Sequence, residues 1–340
     1  MKIHKNFNIH KIFITNNPTK KNSIILEDNP IFQINDILEI TEEKEIITHI
    51  SHNSNDNSLL VNNHCNLRCI NCPQTSTEKI PNLRKKNFEI IDLLNKSINK
   101  IGLTGGEPTL NIDYLIEIIE KLYKKNNKIR IDILSNANNL GDATQLFELI
   151  MIKKIDITFC VALYADIPEI HDKLTQVKGS FWRTIKALHY MAYYNQKIEL
   201  RFIINKLNYT RLPSFINFTY NNLPYIKRLA LIGMEYSGFA LKNAEQLYIK
   251  QSDYNLQLID AIKAAKQRNI PIFIFNHQVC KLDIKIWKYC VPTISDWKTY
   301  YLPHCNFCTM RDICGGFFAT TDPTYLDEKT TPIIYKVKEH

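Results

Sequence analysis

The sequence predicts an α/β protein: a partial (βα)6 barrel of the TIM type, with a small β appendage before it and a cysteine-bearing region after it. Three observations carry that prediction. From residue 58 to about 276 short β-branched runs alternate with longer helical patterns, the signature of repeated βα units and a parallel sheet. Three cysteines leave the end of the first such run, and barrels of this kind gather their chemistry at the carboxyl ends of their strands. From Gln278 onward the pattern breaks into irregular, aromatic and cysteine-bearing sequence, which a small region tolerates only if something other than a core organises it. An open doubly wound sheet is the competing arrangement.

Residues 1–57 hold short extended pieces, IFQINDILEI and EIITHIS, between Asn, Asp and Pro. They are read as a β appendage with no assigned chemistry. The barrel, 58–276, has strand candidates SLLVNN (58–63), IGLT (101–104), IRIDILS (129–135), IDITFCVAL (155–163), IELRFII (198–204) and RLALIGM (228–234), with a seventh, IPIFIF (270–275). Between them FEIIDLLNKSI (88–98), DYLIEIIEKLYKK (113–125), FWRTIKALHYMAYY (181–194) and DYNLQLIDAIKAAKQ (253–267) repeat apolar residues at three and four, as helices with one buried face do. Residues 277–340 are the cysteine-bearing region.

Composition narrows the function. Apolar residues make up 45% and charged residues 23% of 340, enough to bury a large core. No run approaches the roughly 18 consecutive apolar residues of a membrane span, and the start lacks a secretory signal's apolar middle, so a cytoplasmic protein with no membrane partner is expected. The net charge of +9 comes with Lys and Asn spread throughout and no aromatic-interleaved basic stripe, which argues against a nucleic-acid partner. Nine cysteines without an export signal point to metal ligation or reactive thiols rather than disulfides.

Cys65, Cys69 and Cys72 form C-x3-C-x2-C. Three thiolates so close together can hold a 4Fe-4S cubane while leaving one iron without a protein ligand, open to the amino and carboxylate groups of S-adenosylmethionine. The bland alternatives are a zinc site or three unrelated thiols, but structural zinc closes with four ligands, usually from two C-x2-C pairs.

With CNLRC at 65–69 and LTGGEPTL at 103–110, the sequence resembles the radical S-adenosylmethionine (radical SAM) superfamily. The resemblance implies that Gly105, Gly106, Glu107 and Pro108 bind the cofactor, Glu107 through the methionine ammonium. It also implies polar cofactor contacts from strand ends, to which Ser135, Asn136, Arg201 and Asn205 correspond; each is equally readable as a rim hydrogen-bonder. One departure is Asn71, where relatives usually carry an aromatic beside the adenine.

Farther on come Cys280, Cys290 and the C-x2-C-x5-C of Cys305, Cys308 and Cys314. This stretch resembles the auxiliary-cluster regions called SPASM and twitch. Nine cysteines less the first three, with Cys160 inside a strand, cannot ligate two further cubanes. One auxiliary iron–sulfur cluster is therefore expected, held by Cys280, Cys305, Cys308 and Cys314 with Cys290 spare. A four-thiolate zinc site is the alternative.

Several segments resemble the radical SAM maturases of the His-Xaa-Ser peptide system, type C: 161–174, 178–188, 222–243, 275–283 and 294–319. The resemblance implies hydrogen abstraction from a ribosomally made precursor peptide by a 5′-deoxyadenosyl radical, an external one-electron reductant and a sibling maturase as heterodimer partner. Glu235, Tyr164 and Asp166 are the expected catalytic residues, with His171, Tyr236 and His277 near them. Asp166 and Asp172 are also readable as helix caps. Trp287, Trp297, Tyr300 and Tyr301 are either interface anchors or packing around the auxiliary cluster. Formylglycine formation of the sulfatase-maturase kind and a non-catalytic docking subunit are the alternative functions.

Overall fold

The computed structural model describes residues 11–15, 23–24, 35–40, 46–74, 82–295, 298–326 and 330–334. Trp297 lies outside them, as does much of the expected appendage. Four strands, β1 (Lys11–Thr15), β2 (Ser23–Ile24), β3 (Ile37–Ile40) and β4 (Ile46–Ile50), form a sheet of order β2-β1-β3-β4. The β1–β3 and β3–β4 pairs are antiparallel.

The central sheet is the parallel one that the alternating pattern predicts. Its strands are β5 (Ser58–Asn62), β6 (Lys100–Gly105), β7 (Arg130–Ser135), β8 (Asp156–Ala162), β9 (Lys197–Ile203), β10 (Arg228–Ile232), β11 (Ile272–Phe275) and β12 (Cys290–Val291), ordered in space as in sequence. This is the sheet of a partial TIM-like α/β fold. β12 is the addition to the expected seven strands: Cys290 and Val291 pair with Ile274 and Phe275. Two residues are too few to show a period in sequence.

Helices α1 (Leu83–Leu93), α2 (Ile112–Lys125), α3 (Thr144–Lys153), α4 (Pro168–Thr175), α5 (Ser180–Tyr193), α6 (Leu212–Asn222), α7 (Gly238–Lys242), α8 (Ala244–Leu247) and α9 (Asn255–Gln267) follow the strands. Helix α2 shows why. Asn111 Oδ1 accepts the Tyr114 N–H at 2.9 Å as its N-cap, Lys124 and Lys125 sit at the negative end of its dipole, and Leu115, Ile118, Ile119 and Leu122 form its buried stripe. Each of those four side chains contributes about 1.5–3 kcal/mol by burial. Helix α1 starts and ends earlier than the 88–98 pattern suggests. Asn95 turns the chain after it, accepting from the Ser97 N–H through Oδ1 at 3.0 Å and from the Ile98 N–H through its carbonyl at 3.1 Å. Among the described residues no helix is long and apolar enough to cross a membrane.

By internal contact the chain divides into two compact units. One comprises Met1–His64, Glu78–Leu134 and Gln145–Thr158, and the other Cys65–Thr77, Ser135–Thr144 and Phe159–His340. In the second unit β9 shows the alternation of a strand with two packed faces. Ile198, Leu200 and Phe202 are buried, Phe202 meeting Phe215 of α6 at 4.6 Å between ring centroids, while Glu199 of the opposite face is buried between Arg201 and Arg228.

Candidate functional site

The loop of Cys65, Cys69 and Cys72 is held by backbone bonds on both sides. Arg68 and Ile70 donate to the carbonyls of Thr175 and Leu174 at 3.0 and 2.9 Å, and Ala240 donates to the Cys72 carbonyl at 2.9 Å. Gly238, at φ +54°, is needed there: a Cβ would stand 2.2 Å from the Gln74 carbonyl oxygen. Each thiol has a donor. Cys65 Sγ accepts from the Leu67 N–H (3.4 Å) and Asn136 Nδ2 (3.6 Å), Cys69 Sγ from the Tyr164 hydroxyl (3.9 Å) and Cys72 Sγ from the Gln74 N–H (3.5 Å). Burial pushes the Cys69 and Cys72 thiols up, Cys69 further through Cys72 and Cys65. A desolvated thiol trio with donors aimed at its sulfurs favours thiolates only when a cation shares the site, so the donor set fits an iron–sulfur cluster.

Behind the loop stands an amide network. Asn136 Nδ2 also donates to Asn66 Oδ1 at 2.8 Å, Asn66 Nδ2 to Asn139 Oδ1 at 3.1 Å, and Asn138 Nδ2 to Thr184 Oγ1 at 2.9 Å. Ser135 Oγ accepts the Ala137 N–H at 2.8 Å, bracing the left-handed Ala137 at φ +62°. Asn71, between two of the cysteines, is buried with neither amide atom bonded among the described residues. Glu235 acts on Cys72 electrostatically, raising its pKa. Its Oε1 accepts from Thr320 and from Ser237 Oγ at 3.2 Å and pairs with Lys298 at 3.5 Å.

In the other unit, Gly105 and Gly106 pass so close to the segment leaving β5 that side chains are excluded. Cβ atoms would stand 1.9 Å from the Asn62 and 2.0 Å from the His64 carbonyl oxygens. Gly106 donates to Asn62 at 2.8 Å and Glu107 to His64 at 2.7 Å, which fixes the chain one residue before Cys65. The Glu107 carboxylate is fully buried and caps the turn of Pro108–Leu110, accepting from the Thr109 N–H (3.0 Å) and hydroxyl (2.7 Å).

The remaining expected residues have other immediate partners. Arg201 donates to Glu199 at 2.6 Å. Asn205 organises its own turn, accepting the Leu207 N–H at 3.0 Å and donating to the Ile203 carbonyl at 3.3 Å. Asp166 pairs with Arg211 through both carboxylate oxygens, whereas Asp172 caps α5, accepting from Gly179 and Phe181 backbone N–H groups and the Ser180 hydroxyl.

Cys280, Cys305, Cys308 and Cys314 line one cavity, with Tyr301, Met310 and Arg311. Cys280 and Cys314 are pushed up by burial and by neighbouring thiols, and Arg311 lies over the Tyr301 ring at 4.6 Å. Cys290, buried on β12, does not line the cavity. Among the described residues no three His, Cys, Asp or Glu side chains stand close enough to hold a single metal ion. A second cavity, sharing Gln278 and Phe317 with the first, reaches Ile204, Gly233 and Asn276 just beyond β9, β10 and β11; Tyr236, Tyr248, Tyr254 and Tyr325 wall it.

The model of the Radical SAM superfamily matches residues 59–219, a span holding both the cysteine trio and the glycine–glutamate turn. The match spans just under half of the chain. Over 227 residues the chain is 26% identical to the Fe-coproporphyrin III synthase of Methanosarcina barkeri (strain Fusaro / DSM 804), covering 64% of this chain and 55% of that protein. It is 28% identical over 168 residues to the GTP 3',8-cyclase of Nautilia profundicola (strain ATCC BAA-1463 / DSM 18972 / AmH), covering 47% and 51%. The chain thus spans about half the length of these curated relatives. Among solved structures, Streptococcus suis SuiB bound to S-adenosylmethionine is similar in fold, with a TM-score of 0.56, 18% identity and coverage of 80% of this chain and 73% of that one.

Behind Tyr164 stand two supports: Asn208, which sequence reasoning missed, and His171, which it named without this role. Asn208, fully buried, donates through Nδ2 to the carbonyls of Tyr164 and Ile203, each at 2.9 Å. His171 accepts the Tyr164 N–H on Nδ1 at 3.2 Å, and burial lowers its pKa to about 4. His277 is likewise buried at about 4, donating from Nδ1 to the Phe275 carbonyl and accepting from Tyr254. The unfolded imidazoles take up protons from 6.5 downward while the folded ones stay neutral to about 4, so protonation favours unfolding. Stability of the apoprotein should therefore fall as pH falls through that window, by up to about 2.7 kcal/mol per pH unit for the two groups together. Denaturant midpoints followed from pH 7 to 4.5 measure it; a flat profile contradicts neutral burial.

Proposed function

We propose that this chain is a radical SAM peptide maturase of the His-Xaa-Ser system, type C, acting with a sibling maturase on a precursor peptide in the cytoplasm. The observation that carries the reading is the presence, in one chain, of a three-thiol loop with a sulfur-directed donor on each cysteine and a separate cavity lined by four more thiols. The peptide class rests on the resemblance of the segments between 161 and 319. In this reading 1–57 is an appendage, 58–276 carries the radical chemistry and 277–340 the auxiliary site.

Cys65, Cys69 and Cys72 hold the 4Fe-4S cluster, and Gly105, Gly106, Glu107, Pro108, Ser135, Asn136, Arg201 and Asn205 form the cofactor's surroundings. Cluster and S-adenosylmethionine together supply a one-electron cleavage that yields a hydrogen-abstracting adenosyl radical. Asn136 donates to the Cys65 sulfur and orients it. Glu235, paired with Lys298 and fixed by Ser237 and Thr320, is the acceptor we assign to the substrate side. Asp166 joins its loop to Arg211 and shapes the rim. The distal thiols line one cavity, the place of the auxiliary iron–sulfur cluster in this reading, with a four-thiolate zinc site as the alternative.

The test is tandem mass spectrometry of a His-Xaa-Ser precursor made with and without this protein, the sibling and a one-electron reductant present in both. A loss of two hydrogens within a repeat, only when this chain is present, is expected. A free aldehyde would instead mark formylglycine chemistry. An identical product from the sibling alone would make this chain a docking subunit.

A further inference from the structure

We propose that Tyr164 is a positioning residue for the iron–sulfur cluster, its hydroxyl hydrogen-bonding the Cys69 sulfur and raising the cluster's reduction potential. The inference rests on the reading that Cys65, Cys69 and Cys72 hold that cluster, and it replaces a substrate-facing role for Tyr164 with one exerted through a ligand.

The geometry is overdetermined. Tyr164 follows β8, and both of its backbone polar groups are held: the N–H by His171 Nδ1 at 3.2 Å, the carbonyl by Asn208 Nδ2 at 2.9 Å. Its ring stacks on the His171 imidazole, with centroids 5.5 Å apart and planes 29° apart. It packs in an apolar cluster with Ile70 and Leu174, against which Cys69 itself is seated. A side chain fixed at both backbone groups and on one face delivers its hydroxyl to a single place, and that place is 3.9 Å from Cys69 Sγ, within reach of a bond to the large sulfur atom.

The electrostatic consequence follows from charge. Reduction adds one negative charge to a cluster and spreads part of it onto the ligand sulfurs. A donor at a sulfur therefore stabilises the reduced form more than the oxidised one and moves the potential upward. The effect is large where water is excluded, as it is around Tyr164.

The experiment is a potentiometric titration of the reconstituted full chain, followed by electron paramagnetic resonance. The signal of interest is the one that disappears in the Cys65→Ala/Cys69→Ala/Cys72→Ala variant. In Tyr164→Phe, which keeps the ring and its stack, the reduction equilibrium should fall about tenfold, a shift of about 59 mV to more negative potential. One exchangeable-proton coupling to the cluster should vanish with it. Replacing Tyr164 by 3,5-difluorotyrosine, a stronger donor of nearly the same shape, should move the potential the other way and keeps the proposal testable if the Phe variant fails to load iron. An unchanged potential and unchanged couplings in variants that load iron overturn the role of Tyr164. If no cluster signal depends on the three cysteines, it is the cluster reading itself that fails.

Discussion

Replacing Cys65, Cys69 and Cys72 together with Ala should abolish S-adenosylmethionine cleavage and remove about four of the about eight irons that two cubanes hold. In the proposed reading the three thiols are the protein ligands of the first cluster, and the donors around them, Leu67, Gln74, Asn136 and Tyr164, address sulfur and would have nothing to hold. The loop should keep its fold, because the bonds from Arg68, Ile70 and Ala240 are backbone to backbone. Iron and zinc analysis of wild type and variant, beside reductive cleavage assayed by deoxyadenosine release, checks this. Wild-type cleavage in the triple variant would refute the assignment. About four irons in the wild type, with one zinc retained in the variant, would give the Cys280, Cys305, Cys308 and Cys314 cavity to zinc and remove any redox role for it.

Much of this architecture could be read from the chain, for reasons that residues make plain. Strands β5 to β11 announced themselves because buried parallel strands are runs of β-branched residues, and RIDILS or KIELRFI reads as little else. The cysteine trio and the glycine turn were legible because their spacing is local. What lay hidden were partnerships between residues far apart in sequence. Glu199, within a strand, is a buried carboxylate bridging Arg201 and Arg228, a partnership no local pattern signals. Asn208 and Arg211 gave no signal at all in a loop of ordinary polar residues; their partners Tyr164 and Asp166 are 44 and 45 positions away. Asp172 was recognisable as a cap because the α5 N-terminus it serves follows within ten residues. Helix and strand periods are short-range physics, whereas the choice of which polar groups are buried together is made by the tertiary fold.

Gly106→Ala should damage the enzyme nearly as much as removing a ligand, without touching one. A Cβ at Gly106 would stand 2.0 Å from the His64 carbonyl oxygen and 2.3 Å from its carbon, distances at which the facing backbone must move. The obstruction is main chain, so no rotamer relieves it. Moving the two segments apart breaks the 2.8 Å bond from Gly106 to Asn62 and the 2.7 Å bond from Glu107 to His64, and it displaces the chain at the residue before Cys65. Overpacking of this kind costs about 1–3 kcal/mol of stability. A misplacement of about 1 Å in a reacting constellation costs on the order of 100-fold in rate. Gly141→Ala is the control: its Cβ would meet only the flexible Lys186 side chain, at 3.5 Å, and stability should change by less than about 0.5 kcal/mol. Denaturant midpoints, iron content and cleavage rates for the two variants decide the matter. A Gly106→Ala protein that loads iron and cleaves S-adenosylmethionine like the wild type would show that the close approach of this turn to Asn62–His64 is not needed for activity.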